Sequence, residues 1–289
     1  MEIDKYKVEV EKVINYPKSD FRLIEDFQNA MSGLYEAVNE NGFKLYRYMP
    51  INNNNLISIL EQKVYLSDIG NMNDIYEGMF IDPKTNYSNK ELDLIGSVCK
   101  IKSFSEVNNS ELMWAHYADS HRGICVEYDL KLLNKPIDDD ELSVWKHLFP
   151  IIYSDCRNDV NSMELLIKDI QNLKISILEE KEFDSNGNSI EVYASALTKS
   201  NCWQYEKEWR LLYALCELYD VKKNKYNQGI DFPCISAIYM GHRIEEYNAE
   251  MLKFLADRFK EKNDRELLLK KEIMKKTFTI DFRELGETE

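Results

Sequence analysis

The sequence predicts an α+β protein with a mixed β-sheet and helical insertions. Alternating runs typical of strands and amphipathic stretches typical of helices both occur, and their order is too irregular for repeating β-α units. The chain has 289 residues, of which 44% are hydrophobic and 12% aromatic, with 10 Gly and 6 Pro. This composition is typical of a globular protein and excludes a collagenous or linker-dominated one.

Residues 1–42 are predicted to be an N-terminal helical segment. After Pro17, apolar residues recur at steps of three and four, which places them on one helix face. They are Leu23, Phe27, Met31, Leu34 and Val38. Asn41-Gly42 is a typical helix end.

The core is predicted to span residues 43–241. Its strands are expected at LYRYM (45–49), KVYLS (63–67), 99–105, GICVEYDL (123–130), KEWRLLYAL (207–215) and AIYMG (237–241). Asn52 to Asn55 favour the start of a short helix, and Ser110 can cap another that carries Trp114. A further helix is expected as an insertion around 160–182, where Met163, Leu166 and Ile170 share a face.

Residues 242–289 are predicted to form a C-terminal helix, from about 245 to 275, and an edge strand at FTIDF (278–282). The chain contains no internal repeat and no linker-like stretch. We therefore expect residues 1–289 to form a single compact domain.

The charge balance narrows the classes of partner. With 37 Lys and Arg against 51 Asp and Glu, the net charge is −14, which disfavours non-specific binding of nucleic acid. The basic run KKEIMKK (270–276) is interpreted as a solvated helix end. The chain starts with no signal-like apolar region and has no stretch of about 20 apolar residues, so a cytoplasmic protein without membrane contact is expected. Its six cysteines are scattered, so no metal is expected.

Common enzyme motifs are absent from the sequence. It has no G-x-G-x-x-G, no G-x-x-x-x-G-K-[ST], no G-x-S-x-G and no H-E-x-x-H. Any chemistry must therefore depend on residues that lie far apart in the chain.

Two carboxylates form the first candidate site. Glu206 and Glu208 stand two positions apart at the entry to a strand, so their side chains project from the same face. Neighbouring carboxylates repel, which raises the pKa of one and separates an acid or base from a charge stabiliser. The alternative is an edge strand with solvated glutamates, in which Trp209 is in the core and Arg210 pairs with a carboxylate.

Two upstream residues strengthen this candidate. Arg47 lies between Tyr46 and Tyr48 in a strand, and its guanidinium suits bidentate contact with phosphate. Ser67 ends the next strand, where its hydroxyl could hold a ribose. Alternatively, Arg47 pairs with an acidic neighbour and Ser67 caps the following turn.

The order Arg47, Ser67 and Glu206-x-Glu208 resembles the Arg-Ser-Glu pattern of the ADP-ribosyltransferase superfamily. The Ser-Thr-Ser triplet common there is Leu66-Ser67-Asp68 here. The resemblance implies a partly split sheet with an ADP-ribosyltransferase-like core, NAD as the substrate and no metal.

The same resemblance implies roles for single residues. Arg47 would hold the diphosphate or ribose of NAD, and Ser67 would organise the nicotinamide-ribose pocket. Glu208 would bond the ribose hydroxyl and stabilise the oxocarbenium-like charge, while Glu206 would deprotonate or orient the acceptor. Tyr46, Tyr48 or Tyr65 would stack on nicotinamide.

A second resemblance covers residues 44 to 213. The motifs LYRY, YLSD-x-x-x-MND-x-YEG, SFSE, MWAHYADSHRGICVEYD and W-x-YEKEWR are similar to those of a widespread bacterial family of unknown function. This resemblance implies no activity by itself.

The segment between Trp114 and Gly123 offers further candidates. Either a helix stops near Asp119 with Trp114 as its anchor, or His121 and Arg122 contact phosphate or acceptor. The loop NMNDIYEG (71–78) is expected to rim the Ser67 pocket or to form ordinary turns.

The function implied is that of an NAD-dependent ADP-ribosyltransferase-like protein, such as a bacterial toxin or phage-defence effector. It would modify an acceptor macromolecule that the sequence does not identify, and a neutralising partner protein would be typical of such effectors. The alternatives are a non-catalytic binding or sensor domain, and a metal-dependent nuclease that uses Asp74, Glu77, Glu208 and His116.

Overall fold

The computed structural model describes residues 2–15, 33–74, 76, 99–133, 144–156, 189–214 and 229–285. The helices are α1 (Ile3–Asn15), α2 (33–41), α3 (Asn53–Glu61), α4 (Glu111–Tyr117), α5 (Val144–His147), α6 (Ser189–Leu197) and α7 (Glu246–Asn263).

The strands of the first half are β1 (Lys44–Met49), β2 (Lys63–Val64), β3 (Ser67–Asp68), β4 (Cys99–Ser105), β5 (Ile124–Asp129), β6 (Leu148–Pro150) and β7 (Ile152–Ser154). Those of the second half are β8 (Thr198–Ser200), β9 (Glu208–Ala214), β10 (Ile230–Asp231), β11 (Ile235–Met240), β12 (Leu268–Met274) and β13 (Ile280–Glu284).

Nine of these strands form one sheet in the order β13-β12-β11-β5-β1-β4-β9-β6, with β3 attached to β4. Strands β11 and β12 are parallel, whereas the other pairs of this sheet are antiparallel. The prediction of an α+β protein with a mixed sheet is therefore confirmed. Two small sheets, β2 with β10 and β7 with β8, lie beside it.

The large sheet is split between β1 and β4. These strands pair at one position, where Tyr46 lies opposite Ser105. Towards its other end β4 pairs instead with β3, which places Ser67 opposite Ile101. β1 meanwhile stays paired with β5 over its whole length, from Lys44 to Met49. A gap therefore opens between the second half of β1 and the middle of β4.

Alternation along the strands creates two apolar clusters. Leu45 and Met49 point from β1 into the main core, together with Phe104 and Val126. Tyr48 points to the opposite face, where it packs with Trp114, Cys125 and Tyr239. Because side chains alternate, Arg47 belongs to the main-core face of β1.

Several predicted helix ends are confirmed. The side chain of Asn52 accepts a hydrogen bond from the backbone of Asn55 at 2.9 Å and caps α3. Ser110 caps α4 in the same way through Met113. The helix α2 ends at residue 41, and Gly42 has a φ of 71°, which glycine adopts without the strain that a side chain would bring.

The predicted C-terminal helix is wrong beyond residue 263. Asp264 takes the left-handed conformation that ends α7, and its backbone N–H donates to the carbonyl of Lys260. Residues 268–274 form β12, which pairs with β11 and buries Ile273 less than Glu272. The basic run 270–276 is therefore largely a strand and not a helix end, while β13 is the predicted edge strand.

Two predictions lie wholly or partly outside the described residues. These are the helical insertion around 160–182 and the part of the first amphipathic helix that carries Leu23, Phe27 and Met31. Leu34 and Val38 of that helix are in α2 and are fully buried. In the described part of the chain, no helix is both long and apolar enough to span a membrane.

Candidate functional site

A pocket of about 200 Å³ lies at the gap in the sheet. Strands β1, β3, β4, β8 and β9, helix α4 and the loop after β3 contribute to its walls. Because the pocket lies between two diverging strands, side chains from both faces of the sheet reach it. Lys102 and Ser103 are neighbours in β4 with opposite orientation, and both line it.

The structure brings together five of the residues that the sequence singled out. Arg47 and Tyr48 of β1, Ser67 of β3, Glu206 in the turn before β9, and Glu208 at the first position of β9 all line this pocket. Tyr46, the other tyrosine of the LYRY motif, lines it as well. Ser67 and Glu206 are separated by more than 130 residues along the chain and meet because β4 lies between β3 and β9.

Glu208 is held by two cations. Its Oε1 accepts a hydrogen bond from Nε of Arg210 at 2.7 Å, and its Oε2 accepts from Nζ of Lys199 at 2.9 Å. A second guanidinium nitrogen of Arg210 lies 3.2 Å from Oε2, which makes the contact a fork. All three residues are buried.

Glu206 shares the same lysine. Its Oε2 lies 2.6 Å from Nζ of Lys199, and its Oε1 accepts a hydrogen bond from the hydroxyl of Tyr117 at 2.5 Å. Its backbone carbonyl accepts from the hydroxyl of Ser105. The two glutamates are therefore joined through one ammonium group.

The two carboxyl groups have different affinities for protons. The pKa of Glu206 is raised by burial and by the negative charge of Glu208. The positive charge of Lys199 offsets this only in part. Burial also acts on Glu208, but Arg210 and Lys199 outweigh it and hold the pKa of Glu208 well below its usual value. Glu208 is thus an anion at neutral pH, whereas Glu206 is the group more easily protonated.

Arg47 and Lys102 form a second charged group in the pocket. Arg47 is hydrogen-bonded to Tyr128 across the β1–β5 pair. Burial and the neighbouring Arg47 lower the pKa of Lys102 to about 7. The pocket therefore contains a carboxylate pair near β9 and a cationic pair between β1 and β4.

The tyrosines of β1 are already engaged. Tyr48 donates its hydroxyl to the carbonyl of Val107 at 2.8 Å, and its ring packs edge-on against Trp114 with centroids 5.3 Å apart. Tyr46 packs on Tyr239 at 6.1 Å. Both rings therefore shape the wall of the pocket.

Three proposed binding residues do not line this pocket. Tyr65 follows the two-residue strand β2 and lies against Gly229, with its side chain partly exposed. His121 is in a left-handed turn after α4, where Nδ1 lies 3.1 Å from Glu272 of β12. Arg122 belongs to the same turn and is exposed. The structure therefore places these three residues away from the pocket, and their contact with a cofactor stays a prediction.

The loop after β3 was expected either to rim the pocket or to form ordinary turns, and the structure shows one residue doing each. Asn73 lines the pocket and bonds to Tyr117, whereas Asp74 accepts from the backbone of Tyr76 in an ordinary turn. Glu77 lies outside the described residues, and His116 is exposed on α4. In the described ranges, no group of three His, Cys, Asp or Glu side chains is arranged to hold a metal ion.

Sequence reasoning missed three residues of the pocket. Lys199, Lys102 and Tyr117 contact the predicted site residues but belong to no motif with a chemical meaning. Tyr117 was visible only as part of the MWAHY motif. For Lys102 the sequence offers one signal, which is the alternation of side chains along β4. Its neighbours Ile101 and Ser103 project from the opposite face of the sheet, so Lys102 projects from the other.

Part of this region matches a known protein family. Residues 113–211 match the family model described as "Protein of unknown function (DUF2971)". The chain contains a DUF2971 domain. The matched span includes most of α4, all of β5, Lys199, Glu206 and Glu208, and it holds two motifs of the predicted family of unknown function, MWAHYADSHRGICVEYD and W-x-YEKEWR. No curated protein and no solved structure matches the chain.

Proposed function

We propose that this DUF2971-containing protein is an NAD-dependent ADP-ribosyltransferase-like enzyme and that the pocket at the gap in the sheet binds NAD. One observation supports the proposal above the others: Arg47, Ser67, Glu206 and Glu208 line a single pocket although they are distant in the chain. At about 200 Å³ the pocket is below the 300–1,000 Å³ typical of sites that enclose a whole ligand. It would hold the nicotinamide-ribose end of NAD.

The charges of the pocket suit the reaction. The bond between C1′ of the ribose and the nicotinamide nitrogen breaks, and its electron pair leaves with nicotinamide. An acceptor atom then bonds to C1′ and loses its proton. Positive charge develops on the ribose meanwhile, and a fixed anion near it lowers the barrier. Glu208, ionised at neutral pH, supplies that anion.

The remaining roles follow from the two pKa directions. Glu206, whose pKa is raised, is the carboxyl group suited to accept the proton of the acceptor. Lys199 joins the two carboxyl groups and keeps them oriented. Ser67 presents a hydroxyl group from the opposite wall for the ribose.

We extend the proposal to the setting as well. The protein acts in the cytoplasm as a toxin or phage-defence effector, its acceptor is a macromolecule, and a partner protein neutralises it. This part is supported only by the likeness of the Arg-Ser-Glu pattern to the ADP-ribosyltransferase superfamily.

Nicotinamide release tests the activity. The protein is incubated with NAD, with and without a cell lysate as the source of acceptor, and free nicotinamide is measured. We expect release by the natural protein, at least about a hundredfold less by Glu208→Gln, and no change in Glu250→Gln, an exposed glutamate of α7.

Ser67→Ala gives a second variant that does not disturb the buried ion pairs. It is expected to raise the KM for NAD while the protein keeps its thermal stability. If the natural protein neither binds NAD nor releases nicotinamide with any acceptor, the proposal is wrong.

A non-catalytic binding or sensor domain is the second candidate. It is favoured by the bonding of Glu208, whose two oxygens already accept from Arg210 and Lys199. This candidate predicts that the natural protein binds a ligand but releases no nicotinamide from NAD with any acceptor.

A further inference from the structure

The pocket has a cationic half in which Arg47 of the Arg-Ser-Glu pattern is joined by Lys102, a residue that the pattern does not include. Lys102 projects from β4 and Arg47 from β1, so one cation stands on each side of the gap in the sheet. Both are partly buried and both belong to the main-core face of their strands.

The two cations lack a balancing anion in the described part of the chain. Burial and Arg47 alone act on Lys102, and no carboxylate among the described residues counteracts them. Arg47 interacts with the phenol of Tyr128, which is neutral at ordinary pH because burial raises its pKa to about 12.

The surrounding acidic groups are occupied elsewhere. Across the pocket, Glu206 and Glu208 pair with Lys199 and Arg210. On β3, Asp68 forms an ion pair with Lys100. In a chain of net charge −14, a buried pair of like cations is costly unless an anion joins them.

We propose that Arg47 and Lys102 form a subsite for a phosphate group of the ligand, with one cation supplied by each wall of the gap. Arg47 offers a planar fork of donors, and Lys102 adds a point charge. The identity of the phosphate compound rests on the proposed function, according to which the compound is NAD and the bound group is its diphosphate. The subsite itself does not depend on that reaction.

Binding at this subsite takes up a proton. In the free protein the pKa of Lys102 is lowered to about 7, so at pH 8 most molecules carry a neutral amine there. A bound phosphate favours the ammonium form and raises this pKa again. The affinity for a phosphate compound is therefore expected to fall as the pH rises above 7.

Calorimetry with ADP-ribose tests the subsite, because this compound carries the diphosphate but no nicotinamide to be released. Lys102→Met is expected to weaken ADP-ribose binding about ten- to a hundredfold, while Lys102→Arg retains most of it. Lys253→Met, an exposed lysine of α7, removes the same charge from the molecule and is expected to bind as the natural protein does.

The proton provides an independent readout. At pH 8, titrations in two buffers of different ionisation enthalpy are expected to show proton uptake by the natural protein and none by either Lys102 variant. Adenosine, which lacks phosphate, is expected to bind equally to all four proteins or to none of them.

The outcomes separate this inference from the proposed function. Lys102-dependent ADP-ribose binding without any nicotinamide release supports the subsite and contradicts the enzyme. Nicotinamide release that is unchanged in Lys102→Met, or failure of ADP-ribose to bind the natural protein, overturns the subsite.

Discussion

Nζ of Lys199 lies 2.6 Å from Oε2 of Glu206, and both side chains are buried. The same ammonium group contacts Glu208, so the two carboxyl groups of the pocket are held by one cation. They differ in their other partner, which is the phenol of Tyr117 for Glu206 and the guanidinium of Arg210 for Glu208. Because of this difference, we expect the two glutamates to contribute unequally to the stability of the fold.

Glu208→Gln is expected to destabilise the protein far more than Glu206→Gln. The first change leaves Arg210 buried without its anion and Lys199 with Glu206 alone, which costs about 3–5 kcal/mol. The second leaves Lys199 paired with Glu208 and costs about 1 kcal/mol. Urea unfolding at pH 7 measures both, and equal losses in the two variants would contradict the arrangement.

The two glutamates are expected to affect acid stability with opposite signs. The pKa of Glu208 is lowered in the folded protein, so its contribution is complete above the unfolded value of about 4.3 and is lost as the pH falls below it. The stability advantage of the natural protein over Glu208→Gln should therefore shrink as the pH falls below about 4.3.

Glu206 provides the matched comparison. Its pKa is raised, so its contribution is complete below about 4.3 and is lost as the pH rises through the folded value. The advantage of the natural protein over Glu206→Gln should decline towards higher pH. Unfolding curves for both variants between pH 3 and 7 measure these trends, and parallel trends would refute the assigned directions.

Lys102→Met is expected to stabilise the protein in the absence of ligand. The substitution removes a desolvated cation beside Arg47 and keeps an unbranched side chain, a gain of at least about 1 kcal/mol at pH 7. The folded pKa of Lys102 is about 7 and the unfolded value about 10.4, so the gain should fade as the pH rises between them. Thermal unfolding at pH 7 and pH 10 checks this, and a destabilised variant would show that Lys102 supports the fold.

Gly241→Ala is expected to destabilise the protein by about 1–3 kcal/mol. A Cβ atom at this position would lie 2.2 Å from the backbone carbonyl oxygen of His121, which cannot move without disturbing the turn after α4. Gly70→Ala is the control, because nothing lies within 4 Å of its Cβ position. Thermal unfolding of both variants is the measurement, and a neutral Gly241→Ala would mean that the turn is free to shift.

The sequence sufficed for most of the described core because its strands and caps have local signals. LYRYM, GICVEYDL and AIYMG were each located to within two residues, and Asn52 and Ser110 were identified as caps. The error after residue 263 has a physical cause. The charged run at 264–276 fits a helix by composition, whereas its real conformation depends on pairing with β11, a partner that no local pattern reveals.

The candidate site was predictable only where a residue pattern had chemical meaning. Glu206 and Glu208 were found through their spacing, and Arg47 through its place between two tyrosines. Lys199 and Lys102 are single lysines in an ordinary context, and only the folded sheet shows that they are buried beside those residues. The positions of Tyr65 and His121 likewise depend on turns whose direction the sequence does not specify.

The single Tyr46–Ser105 pair has a consequence for motion. Among the residues that the structure describes, it is the one paired position that joins strands β13 to β1 of the large sheet to strands β4 to β6. Arg47 of β1 and Lys102 of β4 lie on opposite sides of this narrow connection. A phosphate group that contacts both side chains would link β1 to β4. Occupancy of the pocket is therefore expected to slow hydrogen exchange along both strands that border the gap.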